Sequence, residues 1–276
     1  MTMWPDRKRF AVTLSFDLDA ETAWESSSLD GRRLTLLSMG AYGRRVGVPR
    51  ILELLAKYDV RAQFYIPALV AEMDPNVVRG IAEAGHGIGC HGYFHERVDE
   101  QTPEQNLRIL RDSKAVLERT IGREVNHYRA PVWEITPDVI SSLVELGFRS
   151  DSSLMGDDRP YLVGGELGQL LELPVSWALD DWEQFAYSAE PAVGGVIEAP
   201  DKVLSLWTAE MEGMRAYGGH FILTMHPQLI GRPSRLLMLE RLIQRIQQND
   251  DAWWCTPDDV YEQVRKGALD LPVHPY

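Results

Sequence analysis

The sequence predicts an α/β protein whose parallel strands close into a barrel. Short apolar runs alternate with amphipathic helical patterns, several of those patterns open at a proline, and 276 residues suffice for one closed βα series.

The first strand is the apolar, β-branched run from Phe10 to Phe16. A helix from Pro49 to Lys57 leads to a strand at Arg61 to Ile66, and a helix from Asn76 to Ala84 leads to a short strand at Gly87 to Cys90. The long helix from Pro103 to Thr120 precedes a strand at Val125 to Tyr128. Pro137 to Leu146 reads as helix and Leu170 to Val175 as strand. The helix from Pro200 to Ala216 ends near Gly218 and Gly219, which bound the continuous apolar strand from His220 to Met225. Helices at Pro233 to Gln247 and Pro257 to Lys266 complete the series. The stretch from Ala20 to Val46 is too long for an ordinary βα connection, so it is expected to act as a lid, interface arm or binding element.

With 45% hydrophobic residues the chain can bury one full core, and residues 1–276 are expected to form a single domain. A formal net charge of −13 argues against nucleic acid and anionic membrane as partners, since both need a basic face. The opening MTMWPDRKRFAVTLSF has too short and too strand-like an apolar run for a signal peptide, and no apolar stretch has membrane length. A cytoplasmic protein is expected. Cys90 and Cys255 form no spacing motif and read as buried thiols.

The polar residues fall in a pattern. Asp17 and Asp19 close the first strand, His91 follows GIGC, Arg129 follows VNHY, Asp151 follows GFRS, Asp180 and Asp181 follow LLELPVSWA, and His226 follows HFILTM. In a parallel barrel such strand ends share one face, where enzyme sites are assembled. Asp17, Asp19 and Glu21 alternate, so a continuing strand would aim all three carboxylates the same way, which is costly unless a cation or a shared proton sits among them. A solvated strand-to-loop junction accounts for that stretch when it is read alone. His91 and His95 stand at i and i+4, one face of a helical turn, and with Asp19 they make two imidazoles and a carboxylate. That set suits Zn, Fe, Co or Mn without choosing among them, and one divalent ion is expected, Zn first, with Fe, Co or Mn as alternatives. Cys90 neighbours His91 on a strand and should point the other way.

SFDLDAE, HGYFH, RAPVW, LDDW and LTMHP, in this order over most of the chain, resemble the five motifs of the polysaccharide deacetylase (NodB-homology) superfamily. The resemblance implies a distorted (β/α) barrel that hydrolyses amide bonds with one divalent metal. By the same resemblance Asp19, His91 and His95 would hold the metal, which would polarise the carbonyl and acidify water. Asp17 would be the general base, held by the charge of Arg129. His226 would be the general acid, supported by Asp181. Tyr93, Trp133 and Trp182 would wall the pocket. Glu21 has no assigned role.

FDLDAE and YGRRVGVPRILELL resemble the cytosolic branch of cyclic imide hydrolases, allantoinase-like enzymes and proteins called peptidoglycan deacetylases. Leu18 separates two aspartates that commonly adjoin in the secreted glycan deacetylases. The expected activity is therefore metal-dependent hydrolysis of non-peptide C–N bonds, leaning to small amides or cyclic imides; the alternative is N-deacetylation of N-acetylated sugars or of peptidoglycan- or chitin-type oligosaccharides. A glycosidase is a poorer match, because carboxylates two residues apart on one strand lie too close to flank a glycosidic bond. The expected partner is a small-molecule substrate, and a homo-oligomer is compatible with the sequence.

Overall fold

The computed structural model describes residues 4–27, 33–165, 168–189, 192–248 and 250–275. In chain order these form β1 (Phe10–Asp17), α1 (Leu34–Tyr42), α2 (Val48–Lys57), β2 (Gln63–Ile66), α3 (Ala68–Met73), α4 (Pro75–Glu83), β3 (Gly87–Cys90) and α5 (Pro103–Ile121). There follow β4 (His127–Tyr128), α6 (Pro137–Glu145), β5 (Ser150–Asp151), β6 (Tyr161–Gly165), β7 (Gly168–Glu172) and α7 (Trp182–Phe185). The chain continues with α8 (Pro200–Tyr217), β8 (His220–Met225), α9 (Pro227–Ile230), α10 (Pro233–Gln247), β9 (Ala252–Trp254), α11 (Pro257–Arg265) and β10 (Val273–Pro275).

The sheet runs β10-β6-β7-β5-β4-β3-β2-β1-β8, with β9 beside β1, and every pairing is parallel except β6 with β7. β1 is the hub. Its first half pairs with β9 and its last residues with β2, while β8 runs along its other edge. Between β7 and β8 the ring closes, among the described residues, through one isolated parallel bridge, Asp180 to Thr224. The barrel is distorted because one strand position is made by an irregular segment.

All eight residues of β1 are buried, since both faces of a parallel strand are covered. Its even-numbered side chains, Phe10 to Phe16, join the main apolar cluster under the helices, where Phe16 stacks on Phe64 at 4.8 Å. Its odd-numbered side chains turn the opposite way and form a polar column. Thr13 bonds His220 and the Cys255 carbonyl, Ser15 bonds the Leu223 carbonyl, and Asp17 bonds Arg129. This column leads up to the site. Both cysteines are free and buried.

Where described, the expected loop from Ala20 to Val46 is helical: a 3₁₀ stretch Ala20–Ser27, then α1, then a π turn Gly43–Gly47 running straight into α2. Residues 28–32 of that loop lie outside the described residues. α1 has the sequence LTLLSMGAY, too uniformly apolar to show a helical period. The strands β6, β9 and β10 were also not expected; they lie at the ends and side of the sheet, where short pairings leave little pattern. No helix among the described residues is long and apolar enough to cross a membrane.

His220 lies inside the barrel against Thr13, and burial alone lowers its pKa from 6.5 to about 3. The fold holds it neutral, so its contribution is complete above the unfolded value and is lost as pH falls. Between pH 7.5 and 5.5 the unfolded chain gains a proton that the fold refuses, a loss of about 1.4 kcal/mol. Urea unfolding across that range should show this slope in the wild type and a flatter one in His220→Asn.

Candidate active site

Strand ends deliver the polar groups to one cavity. Asp17 is the last residue of β1 and Asp19 lies two beyond it. His91 follows β3, Arg129 follows β4 and His226 follows β8. Asp180 and Asp181 come from the bridge that closes the ring. A cavity of about 190 Å³ is floored by Asp17, Asp19, His91, His95, Asp180 and His226, and walled by Ala23, Val132, Trp133, Trp177, Trp182 and Glu183.

Asp19, His91 and His95 place ligating atoms within 4.8 Å of one another. The Asp19 Oδ1 atom lies 3.5 Å from His91 Nε2 and 3.9 Å from His95 Nε2. It is buried and has no hydrogen-bond partner among the described residues. Ligands about 2.1 Å from a tetrahedral ion stand about 3.4 Å apart, so this spacing admits a cation between them. His91 Nδ1 bonds the Arg129 carbonyl at 2.8 Å, which leaves Nε2 with the open lone pair. Burial lowers the His91 pKa to about 4 and holds that of His95 well below its usual value, so both rings are neutral, the form that ligates. Burial, with Asp17, Asp180 and Asp181 nearby, pushes Asp19 up to about 8 against the pull of His226. A carboxyl placed there needs a cation to remain ionised at neutral pH. The donor set fits a divalent metal.

The pair is not brought together by a helical turn, as its spacing suggested. Residues 91–97 form a loop in which Gly92 (φ 73°) and His95 (φ 67°) are left-handed. The loop bends around the buried Glu96 carboxylate, which accepts from the Tyr93 and Phe94 amides. The same bend carries Tyr93 outward, where its hydroxyl donates to Glu72 at 3.0 Å, so Tyr93 is not a cavity wall. Cys90 points into the apolar core, away from the ligand set.

Arg129, with no exposed surface, donates to Asp17 Oδ1 at 2.8 Å, to Ser15 Oγ, and to the carbonyl and hydroxyl of Ser152, with Tyr65 lying against its face. Across the cavity His226 Nδ1 lies 2.7 Å from Asp181 and 3.6 Å from Asp180, while Nε2 faces Asp19 at 3.6 Å. Burial opposes charge on His226, but Asp180, the bond to Asp181 and Asp19 outweigh it and raise the ring to about 10. Asp181 also accepts the His226 amide, fixing both ring and backbone. Trp182 packs on the His226 ring with centroids 5.1 Å apart, and Trp133 against Trp177 at 4.4 Å. Val132 and Trp133 follow each other at φ 51° and 56°, a conformation rare for any side chain and rarest for a β-branched one.

Asp151, grouped with the others in the sequence, is absent from the cavity. It pairs with the buried carboxyl of Glu172 and accepts from Ser153, whose hydroxyl in turn accepts the Ala130 amide. Asp180, Trp177, Val132, Glu183 and Ala23 are the lining residues for which no role was assigned. Only Asp180 had a visible signal, the aspartate doublet after the strand-like run.

Glu21 also departs from expectation. Ala20 is left-handed (φ 52°), so the chain turns after Asp19 and Glu21 leaves the cavity for Arg44. Arg44 Nη2 meets it at 2.7 Å, and Arg44 Nη1 meets Asp74 at 3.1 Å. Gly40 packs so closely that a Cβ would stand 2.4 Å from the Ala20 carbonyl oxygen. This strut fixes the wall that carries Asp19 and Ala23. Arg44→Met is expected to cost about 2 kcal/mol in urea unfolding by stranding two carboxylates, and adding Glu21→Gln should recover part of it.

Comparison with known proteins gives these residues a context. Residues 40–150 match the polysaccharide deacetylase family model. The crystal structure of a Mycobacterium smegmatis protein classed with the polysaccharide deacetylases superposes with a TM-score of 0.93, at 40% identity over 98% of this chain and 94% of that one. The chain belongs to the polysaccharide deacetylase family. Among other deacetylases, the Helicobacter pylori peptidoglycan deacetylase is 27% identical over 94% of this chain and 97% of its own. The Puue allantoinase shares the fold, with a TM-score of 0.85, 21% identity and coverage of 96% of this chain and 94% of that one. Deacetylation is the activity for which the M. smegmatis and H. pylori relatives are named.

Proposed function

We propose that this polysaccharide deacetylase family member is a metal-dependent N-deacylase that releases an acetyl-type group from a nitrogen-linked substrate. One observation carries the reading: a metal-ligand triad, a carboxylate held by arginine and an imidazole held by aspartate all border one cavity. Asp19, His91 and His95 would hold the ion. When bound, it supplies Lewis-acid polarisation of the carbonyl and lowers the pKa of water.

The chain's own residues do the rest. Arg129 and the β1 backbone orient Asp17 to take a proton from the attacking water. His226, held at Nδ1 by Asp181, presents Nε2 to the leaving nitrogen and gives it a proton. An amine leaving an acetamide must be protonated, since its anion is far too basic to depart. Trp133, Trp177 and Trp182 limit solvent around these transfers.

The preference for small cyclic imides drawn from the sequence gives way here to N-deacetylation. The H. pylori relative, matched over nearly its whole length, is called a peptidoglycan deacetylase, and the Asp181–His226 pair is arranged for the harder leaving group. The test is a panel of N-acetylglucosamine oligomers, succinimide, hydantoin and allantoin with purified metal-loaded protein. Acetate release from the N-acetyl compounds is the expected result; activity confined to ring opening would overturn the reading.

A further inference from the structure

The carboxylates on and directly behind the cavity floor have partners. Asp17 is bonded to Arg129, Asp180 and Asp181 are within 3.6 Å of His226, and Asp19 belongs to the ligand set. Glu183 is different. It lies on the rim at the start of α7, exposed, and no hydrogen bond or ion pair to its carboxylate is found among the described residues. It follows Trp182, whose ring packs on His226, so its place relative to the acid is fixed. Val132 and Trp177 line the same cavity and are both nearly half exposed.

The positive charges at and below the floor are already committed: the His226 ring is held between Asp180 and Asp181 on one side and Asp19 on the other. Arg129 uses Nε, Nη1 and Nη2 on Ser152, Ser15 and Asp17 and has no exposed surface to offer a ligand. A substrate group on the His226 side of the cavity therefore meets the Trp182 indole and one free carboxylate. Indole faces and carboxylates attract ammonium groups and tolerate neutral hydroxyls, and a carboxylate repels an anion brought within a few ångströms even where solvent screens part of the charge. The chain's charge of −13 acts in the same direction on approach.

We propose that the cavity selects by charge: it takes N-acyl substrates whose group beside the scissile bond is neutral or cationic, and Glu183 is the residue that turns anionic ones away. This rests on the N-deacylase reading and narrows its substrate class. Glu183 is a specificity residue with no part in the proton transfers.

The test uses N-acetylmuramic acid and its primary amide, which differ by one charge at nearly constant shape. Affinity for metal-loaded protein is read by indole fluorescence and turnover by acetate release. The wild type should favour the amide by about tenfold. Glu183→Gln should reduce that ratio, and Glu183→Lys should shift it about tenfold toward the acid. A residue that merely shaped the rim would give the same ratio in the glutamine and lysine variants. Equal affinity for acid and amide in the wild type, or a ratio unmoved by Glu183→Lys, overturns charge selection while leaving N-deacylation intact. Failure of both compounds to bind, together with inactivity on the N-acetylglucosamine oligomers, removes the N-acyl reading itself.

Discussion

Asp17→Asn is expected to keep its metal and its fold while kcat falls by about 10²–10⁴, the range a positioned general base supplies. The substitution preserves shape and an oxygen that accepts from Arg129, which lies 2.8 Å from Asp17 Oδ1, so the buried guanidinium keeps a partner. What disappears is the capacity to take a proton. Metal content measured beside acetate release separates this from loss of the site. Turnover near the wild-type value would remove Asp17 from the base role.

The second large effect is loss of the ion. His91→Ala with His95→Ala leaves Asp19 as the single ligand of the set, and the double variant should bind well under one divalent ion per chain and show no turnover above background. The chelated wild type should behave alike and recover when metal is restored, whereas the double variant should not. Full metal occupancy in the double variant would mean that the ion sits elsewhere. Measuring occupancy with Zn, Co, Fe and Mn in turn would also rank the metals, which the two-nitrogen, one-oxygen set does not do by itself.

Much of this site is legible in the sequence because a parallel barrel collects strand ends. A run of apolar residues that stops at a carboxylate, imidazole or guanidinium marks such an end, and β1, β3, β4 and β8 all do so. Backbone turns were not legible. Ala20, Gly92 and His95 take left-handed conformations, and these send Glu21 to Arg44, send Tyr93 to Glu72 and bring His95 back to His91 without a helix. Spacing rules assume regular backbone, so they place residues well inside elements and poorly just beyond them. Asp180 was hard to weigh for a related reason: its place beside β8 is a single bridge with no strand pattern around it. Asp151 has the right position on β5, but the carboxyl of Glu172 turns it to a structural pairing.

Val132 and Trp133 have a bearing on any attempt to improve this protein. Two successive side-chain-bearing residues in the left-handed region cost of order 1–3 kcal/mol each, and here they form a wall of the cavity, with Trp133 laid against Trp177. Val132→Gly releases that tension and should raise the thermal midpoint, while the indole beside it loses its fixed angle and turnover declines. Random libraries sorted by heat tolerance alone would then enrich this exchange and drift toward sturdier, slower enzymes. Sorting for durability and turnover together should retain the valine.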